Sequence, residues 1–309
     1  MSTETIKTTG PQKNARRGID WFSHTAGWPH LLAVVLLVYI YQPLFFHFAD
    51  EYWNSANLDG TYAHAPLVML GIIFIAWKRR AVFRMPASDT VSFKGLALLA
   101  TGAAAGIYGD LQGYLVLQGL SLIPLAAGIL LTMHGESAWP AMRFPLLMLV
   151  FVVPLPSAGI DAMTRPLAIM TGDLVVPMLW PFNIEATRLG QVLSVRGLGQ
   201  EQFHQVIIAA ECSGIRSLLA LLAVSSLLAC FRGHSAMRTL VLLLITPLMT
   251  LLGNAVRIVI TTVMIVYVDP ATAENFYHSA SGILAIVIAL CGIFAVDGLV
   301  DRFWAGEKS

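Results

Sequence analysis

The chain has 309 residues, of which 57% are apolar and 12% charged, with a mean hydropathy of +0.72. That leaves too little polar surface to cover a water-soluble domain and makes the bilayer its solvent. A formal charge of +1 excludes a general nucleic-acid-binding role, which needs a basic stripe against phosphates, and three cysteines, Cys212, Cys230 and Cys291, are too few for a disulfide framework and leave at least one free thiol.

In chain order, residues 1–20 are rich in Thr, Gly, Lys and Arg without apolar periodicity, and are expected to be disordered in the cytoplasm. Lys7, Lys13, Arg16 and Arg17 precede a full-length apolar span with no small-residue cleavage site after it, the pattern of a signal anchor. Residues 21–309 then read as one integral-membrane domain. Crossing about 30 Å of hydrocarbon takes roughly 20 helical residues. Apolar runs of about that length lie near 28–48, 63–77, 93–109, 114–133, 143–160, 212–231, 238–257 and 276–296, the second and third being short. The expected fold is therefore all-α, a polytopic transmembrane helical bundle of about eight spans. Residues 161–180, interrupted by Asp161, Arg165 and Asp173, are open between a ninth span, a re-entrant segment and an interfacial helix. The polar stretch 182–206 alternates β-branched residues around Gly190, Gly197 and Gly199, which predicts a short β-hairpin-like loop. No internal repeat and no interdomain linker is visible.

Lys and Arg collect at the amino terminus, in 78–94, at Arg143, in the turn holding Arg232 and Arg238, and in the tail. Those segments are expected in the cytoplasm and the 182–206 loop outside, the orientation of a multi-pass membrane protein.

There is no His-Glu-x-x-His, Cys-x-x-Cys pair, P-loop or Gly-x-Ser-x-Gly, so neither a metal nor another cofactor is expected, and metalloprotease and serine-hydrolase chemistry are disfavoured. Three polar clusters remain: Glu211-Cys-Ser-Gly-Ile-Arg216, Gly253-Asn-Ala-Val-Arg257 and Tyr277-His-Ser-Ala-Ser-Gly282. Cys212 lies about 20 residues, roughly 30 Å, from the 232–238 turn, and Arg257 about 19 residues beyond Arg238. His278 opens the last span. The three residues therefore share one depth at the outer face.

Each has a plainer reading. A lone cysteine in a span packs as a small hydrophobe, which suits Cys230 and Cys291. Cys212 differs because it lies at the start of a helix, whose positive end favours the thiolate. Arg257 sits ahead of the apolar run 258–268, where it is costly unless it snorkels, pairs with Asp269 or Glu274, or serves chemistry. His278 fits an interfacial hydrogen-bonding residue as well as a base. Arg216 either pairs with Glu211 or raises the local positive potential.

With Asp59-Gly-Thr-Tyr-Ala-His-Ala-Pro, Trp77-Lys-Arg-Arg, Val153-Pro-Leu-Pro, Ala210-Glu-Cys-Ser-Gly-Ile-Arg-Ser, Gly253-Asn-Ala-Val-Arg and Tyr277-His in this order, the chain resembles the exosortase and archaeosortase family from about Asp50 to Val300. The resemblance implies a membrane-embedded cysteine protease or transpeptidase with Cys212 as nucleophile and Arg257 and His278 completing the site. It implies Tyr62, His64, Arg216 and Asn254 as supporting or substrate-contacting residues. The first-loop motif departs from the family's usual Tyr-Ser-His-Gly, reading Tyr62-Ala-His-Ala. The implied partners are membrane-anchored exported proteins carrying a short motif such as Pro-Glu-Pro, one membrane helix and a basic tail. Water, an amine or a lipid would be the acceptor. Two other readings fit the bare residues: a transporter or permease, whose pathway polar residues in spans would mark, and a non-catalytic factor in envelope polysaccharide assembly.

Overall fold

The computed structural model describes residues 35, 38–46, 64–81, 92–208, 214–269, 272–273 and 280–305. The chain divides into two units, Met1–Gln42 and Pro43–Ser309. Residues 35 and 38–42 are helical in the first, and the segment 1–20 expected to be disordered lies outside the described residues. The second unit is built from helices α1 (Ala65–Lys78), α2 (Phe93–Gln112), α3 (Leu115–His134), α4 (Trp139–Leu147), α5 (Ser157–Leu179), α6 (Ile215–Arg232), α7 (Ala236–Tyr267) and α8 (Ser281–Ala305), with strands β1 (Ile184–Leu189), β2 (Val192–Gly197) and β3 (His204–Ile207) between α5 and α6.

Four helical segments among the described residues are long and apolar enough to cross a bilayer: Leu115–His134, Ile215–Arg232, Ala236–Tyr267 and Ser281–Arg302. Helix α1 is apolar but has 14 residues, about 21 Å of rise. Helix α2 has the length, yet Lys94, Asp110 and its many Gly and Ala residues lower its hydropathy. Those small residues let it lie directly on α3. A Cβ on Gly102 would come within 2.5 Å of the Leu125 amide nitrogen, and one on Gly128 within 2.4 Å of that of Leu99, the contact that small residues allow between membrane helices.

The fifth expected span, 143–160, is not one helix. Helix α4 passes into a 3₁₀ turn at Met148–Val152, and the chain then extends, with Val153 at ψ 126° and Pro156 at ψ 146°. Pro154 and Pro156 supply no N–H, and proline drives the preceding residue out of the helical region. Continuous helix resumes as α5, so the stretch left open by the sequence belongs to one 23-residue helix. The expected span 238–257 is also longer than read. Arg257 does not stop it, and α7 runs 32 residues to Tyr267, about 48 Å.

The hairpin is present and carries a third strand, in a sheet of order β1-β2-β3 that is antiparallel throughout. Its inner face and α5 close over the last third of α7: Ala168, Val175, Leu179, Leu193, Val195 and Ile208 pack with Ile258, Val259 and Val266. Full burial of each such branched side chain contributes about 1.5–3 kcal/mol. Two ion pairs brace this cap. Glu185 and Arg196 face each other across β1 and β2, with Nε and Nη2 each 2.6 Å from Oε2, and Arg188 Nε reaches Asp173 Oδ1 of α5 at 2.8 Å.

At the opposite end of α7, the α6–α7 turn is tied to α8 by charge. Arg232 pairs with Asp297 and, at 3.5 Å, with Asp301, while Arg238 also pairs with Asp301. Asp297 is 3% exposed. His234 is buried beside it, Nε2 3.5 Å from Oδ1. Burial pushes the His234 pKa below its ordinary 6.5, against the pull of Asp297 and with the help of Arg238 and Arg232.

Candidate active site

Helix α7 runs antiparallel to both α6 and α8 and contacts them, and their polar contacts fix the levels. Midway along, Ser225 Oγ and Thr246 Oγ1 lie 2.8 Å apart. Further toward the carboxyl end of α7, Gly253 touches α8 so closely that a Cβ would lie 2.5 Å from the Ala285 carbonyl oxygen. At the same level α6 begins. Gly214, its N-cap, adopts φ +82°, and a Cβ there would meet the Asn254 amide at 3.4 Å. Glycine adopts this left-handed conformation without strain.

Asn254 is 2% exposed. Arg257 stands one helical turn further on the same side of α7, since residues three apart on a helix are neighbours. Its Nε donates to Ser281 Oγ at 2.9 Å. Ser281, the first residue of α8, is fully buried. The structure thus brings together Gly214 and Ser281, at the starts of α6 and α8, with Asn254 and Arg257 in the body of α7. Unsatisfied backbone N–H groups give the first turn of α6 a positive end that stabilises an anion, and Arg257, one turn beyond Asn254 on α7, carries a full positive charge to the start of α8. Such a site suits a nucleophile that reacts as an anion and an oxygen that becomes one.

Cys212, His278 and Tyr62 lie outside the described residues. Arg216 sits half-buried on the first turn of α6. His64 is buried just before α1, with Nε2 3.0 Å from the Phe151 carbonyl oxygen, so it steadies the 3₁₀ turn that precedes the proline break. Among the described residues, no three His, Cys, Asp or Glu side chains converge as metal ligands would. Ser281 was not singled out by sequence reasoning. Its signal is a hydroxyl at the first position of an apolar span, three residues after His278.

The sequence model of the transmembrane exosortase family matches residues 53–295, which include all four of these residues and every motif cited above. No curated protein matches the chain. No solved structure matches it either.

Proposed function

Since the chain belongs to the transmembrane exosortase family, we propose that it is a cysteine peptidase or transpeptidase that processes carboxy-terminal sorting signals of exported proteins at the outer face of the inner membrane. The reading includes about eight spans, a cytoplasmic α6–α7 turn, and a cap of α5 and the three strands on the outside. One observation carries it. Asn254 against Gly214 and Arg257 against Ser281 set the start of α6 and the start of α8 at one level on α7. Cys212 precedes Gly214 by two residues and His278 precedes Ser281 by three. Covalent geometry alone keeps their Cα atoms within about 8 Å and about 11 Å of those two anchors.

The chemistry follows from the residue types. A substrate helix docks laterally with its recognition motif just above the outer surface. His278 takes the proton of the Cys212 thiol, and Sγ attacks the scissile carbonyl carbon. The carbonyl π pair moves onto oxygen, where Arg257 stabilises the new negative charge. Collapse breaks the C–N bond, His278 returns the proton to the departing amine, and a thioester remains on Cys212. Attack by water gives hydrolysis. An amine of a second molecule gives transpeptidation, and in either case the incoming group's proton passes to His278 as the thiol is released.

The test is a gel shift of a tagged substrate bearing motif, helix and basic tail, co-expressed with each variant at matched abundance. Cys212→Ala is expected to leave the substrate uncut, and Cys212→Ser nearly so, because a serine hydroxyl is far less ionised at neutral pH. Substantial cleavage by Cys212→Ala would eliminate covalent catalysis through this residue.

A further inference from the structure

Arg257 would meet its substrate only if its long side chain is held in one place. Arginine's long side chain samples many rotamers, so an unanchored guanidinium spends most of its time elsewhere. We infer that Ser281 is the positioning residue for Arg257, fixing the guanidinium plane by accepting the Nε–H. This rests on the cysteine-peptidase reading above.

Three observations converge on it. The hydrogen bond is of ordinary length, 2.9 Å, and its cationic donor puts it in the charge-assisted class, which is about twice as strong as a neutral one. Ser281 is fully buried at the start of an otherwise apolar helix, where a hydroxyl is unfavourable unless it is engaged. Packing alone would be served as well by alanine. Finally, a serine hydroxyl is short, and it reaches Arg257 because α7 and α8 touch one turn away, where Gly253 lies on the Ala285 carbonyl. The glycine and the serine act as one device: the first brings the backbones together, and the second uses that approach to hold the arginine.

The experiment measures cleavage of the tagged substrate in membranes at matched abundance, with Cys212→Ala as control. Ser281→Ala is expected to lower kcat about tenfold to a hundredfold with KM little changed, because an interaction used in the transition state is lost. Ser281→Thr, which keeps the hydroxyl, should recover most of the rate. In an Arg257→Lys background, which has no Nε, Ser281→Ala should cost nothing further. Should Ser281→Ala fail to accumulate, Ser281→Cys, close in size and a weak acceptor, is expected to show the same loss. Wild-type rates in Ser281→Ala, or an equal loss in both arginine and lysine backgrounds, would overturn the inference while leaving the proposed function standing. Cleavage by the Cys212→Ala control would instead sink the proposed function itself.

Discussion

Helices α6, α7 and α8 are polar at both ends, and the two ends are built on different principles. At the α6–α7 turn, Arg232 and Arg238 meet Asp297 and Asp301, so charge answers charge. At the other end Arg257 meets the hydroxyl of Ser281, and Asn254 abuts a glycine. The first arrangement ties α8 to the hairpin and uses up its charges in doing so. The second sets a guanidinium against a hydroxyl and an amide against a glycine. Burial alone does not separate them, since Asp297 and Asn254 are almost equally hidden. The chemistry of the partner does.

The comparison can be broken by exchanging like for like at the two ends. Arg257→Lys keeps the charge and loses the planar fork, and is expected to lower substrate processing about 10²- to 10³-fold at equal abundance. Near-normal processing by that variant would make Arg257 another structural cation. At the far end the losses should appear in stability instead. Asp297→Ala leaves Arg232 without its buried partner and should cost about 2–3 kcal/mol, less than the 3–5 typical of a fully buried pair because Arg232 is 43% exposed. Thermal aggregation of detergent-purified protein reads this as a lowered midpoint, with the rate of the surviving folded protein unchanged. A rate loss exceeding the loss of folded protein would show that the two ends are coupled.

A smaller effect comes from His234, whose pKa burial holds below 6.5. The unfolded chain therefore takes up a proton near pH 6.5 that the folded chain refuses until lower pH. Stability contributed by the neutral ring is present above pH 6.5 and is lost as pH falls through the depressed folded value. His234→Gln should flatten the decline in thermal midpoint between about pH 6.5 and 5 relative to wild type. An unchanged slope would remove His234 from the ion-paired end's pH response.

The level that Arg257 shares with the starts of α6 and α8 was legible in the sequence, whereas Cys212 and His278 lie outside the described residues. Depth could be counted because helices rise about 1.5 Å per residue and the basic turn at Arg232 and Arg238 supplies an origin, so Arg257 and the starts of α6 and α8 fell at one level. Adjacency could not be counted: it depends on Gly253 admitting α8, and a lone glycine in an apolar run looks like any other. Ser281 escaped for the same reason, because its role exists only once α8 lies on α7. The break after α4 was written in Pro154 and Pro156, but hydropathy averages over a window and reads through it. Helix α7 exceeds the expected span 238–257 because a charged residue reads as a membrane boundary, whereas the helix continues into a cap that buries Ile258, Val259 and Val266. The hairpin was recognisable from its alternation and Gly190. The third strand, four residues long, is too short to carry a period of its own.

The most direct test of the account leaves one thiol in the protein. In the Cys230→Ala, Cys291→Ala double variant, whose substituted positions lie roughly 24 Å along α6 from Gly214 and roughly 15 Å along α8 from Ser281, substrate processing should stay near wild type. Stepwise alkylation of that protein in intact membranes, with the modified fraction of Cys212 measured by mass spectrometry, is expected to abolish cleavage in proportion to modification. A fully alkylated Cys212 that still cleaves would contradict the account at its centre.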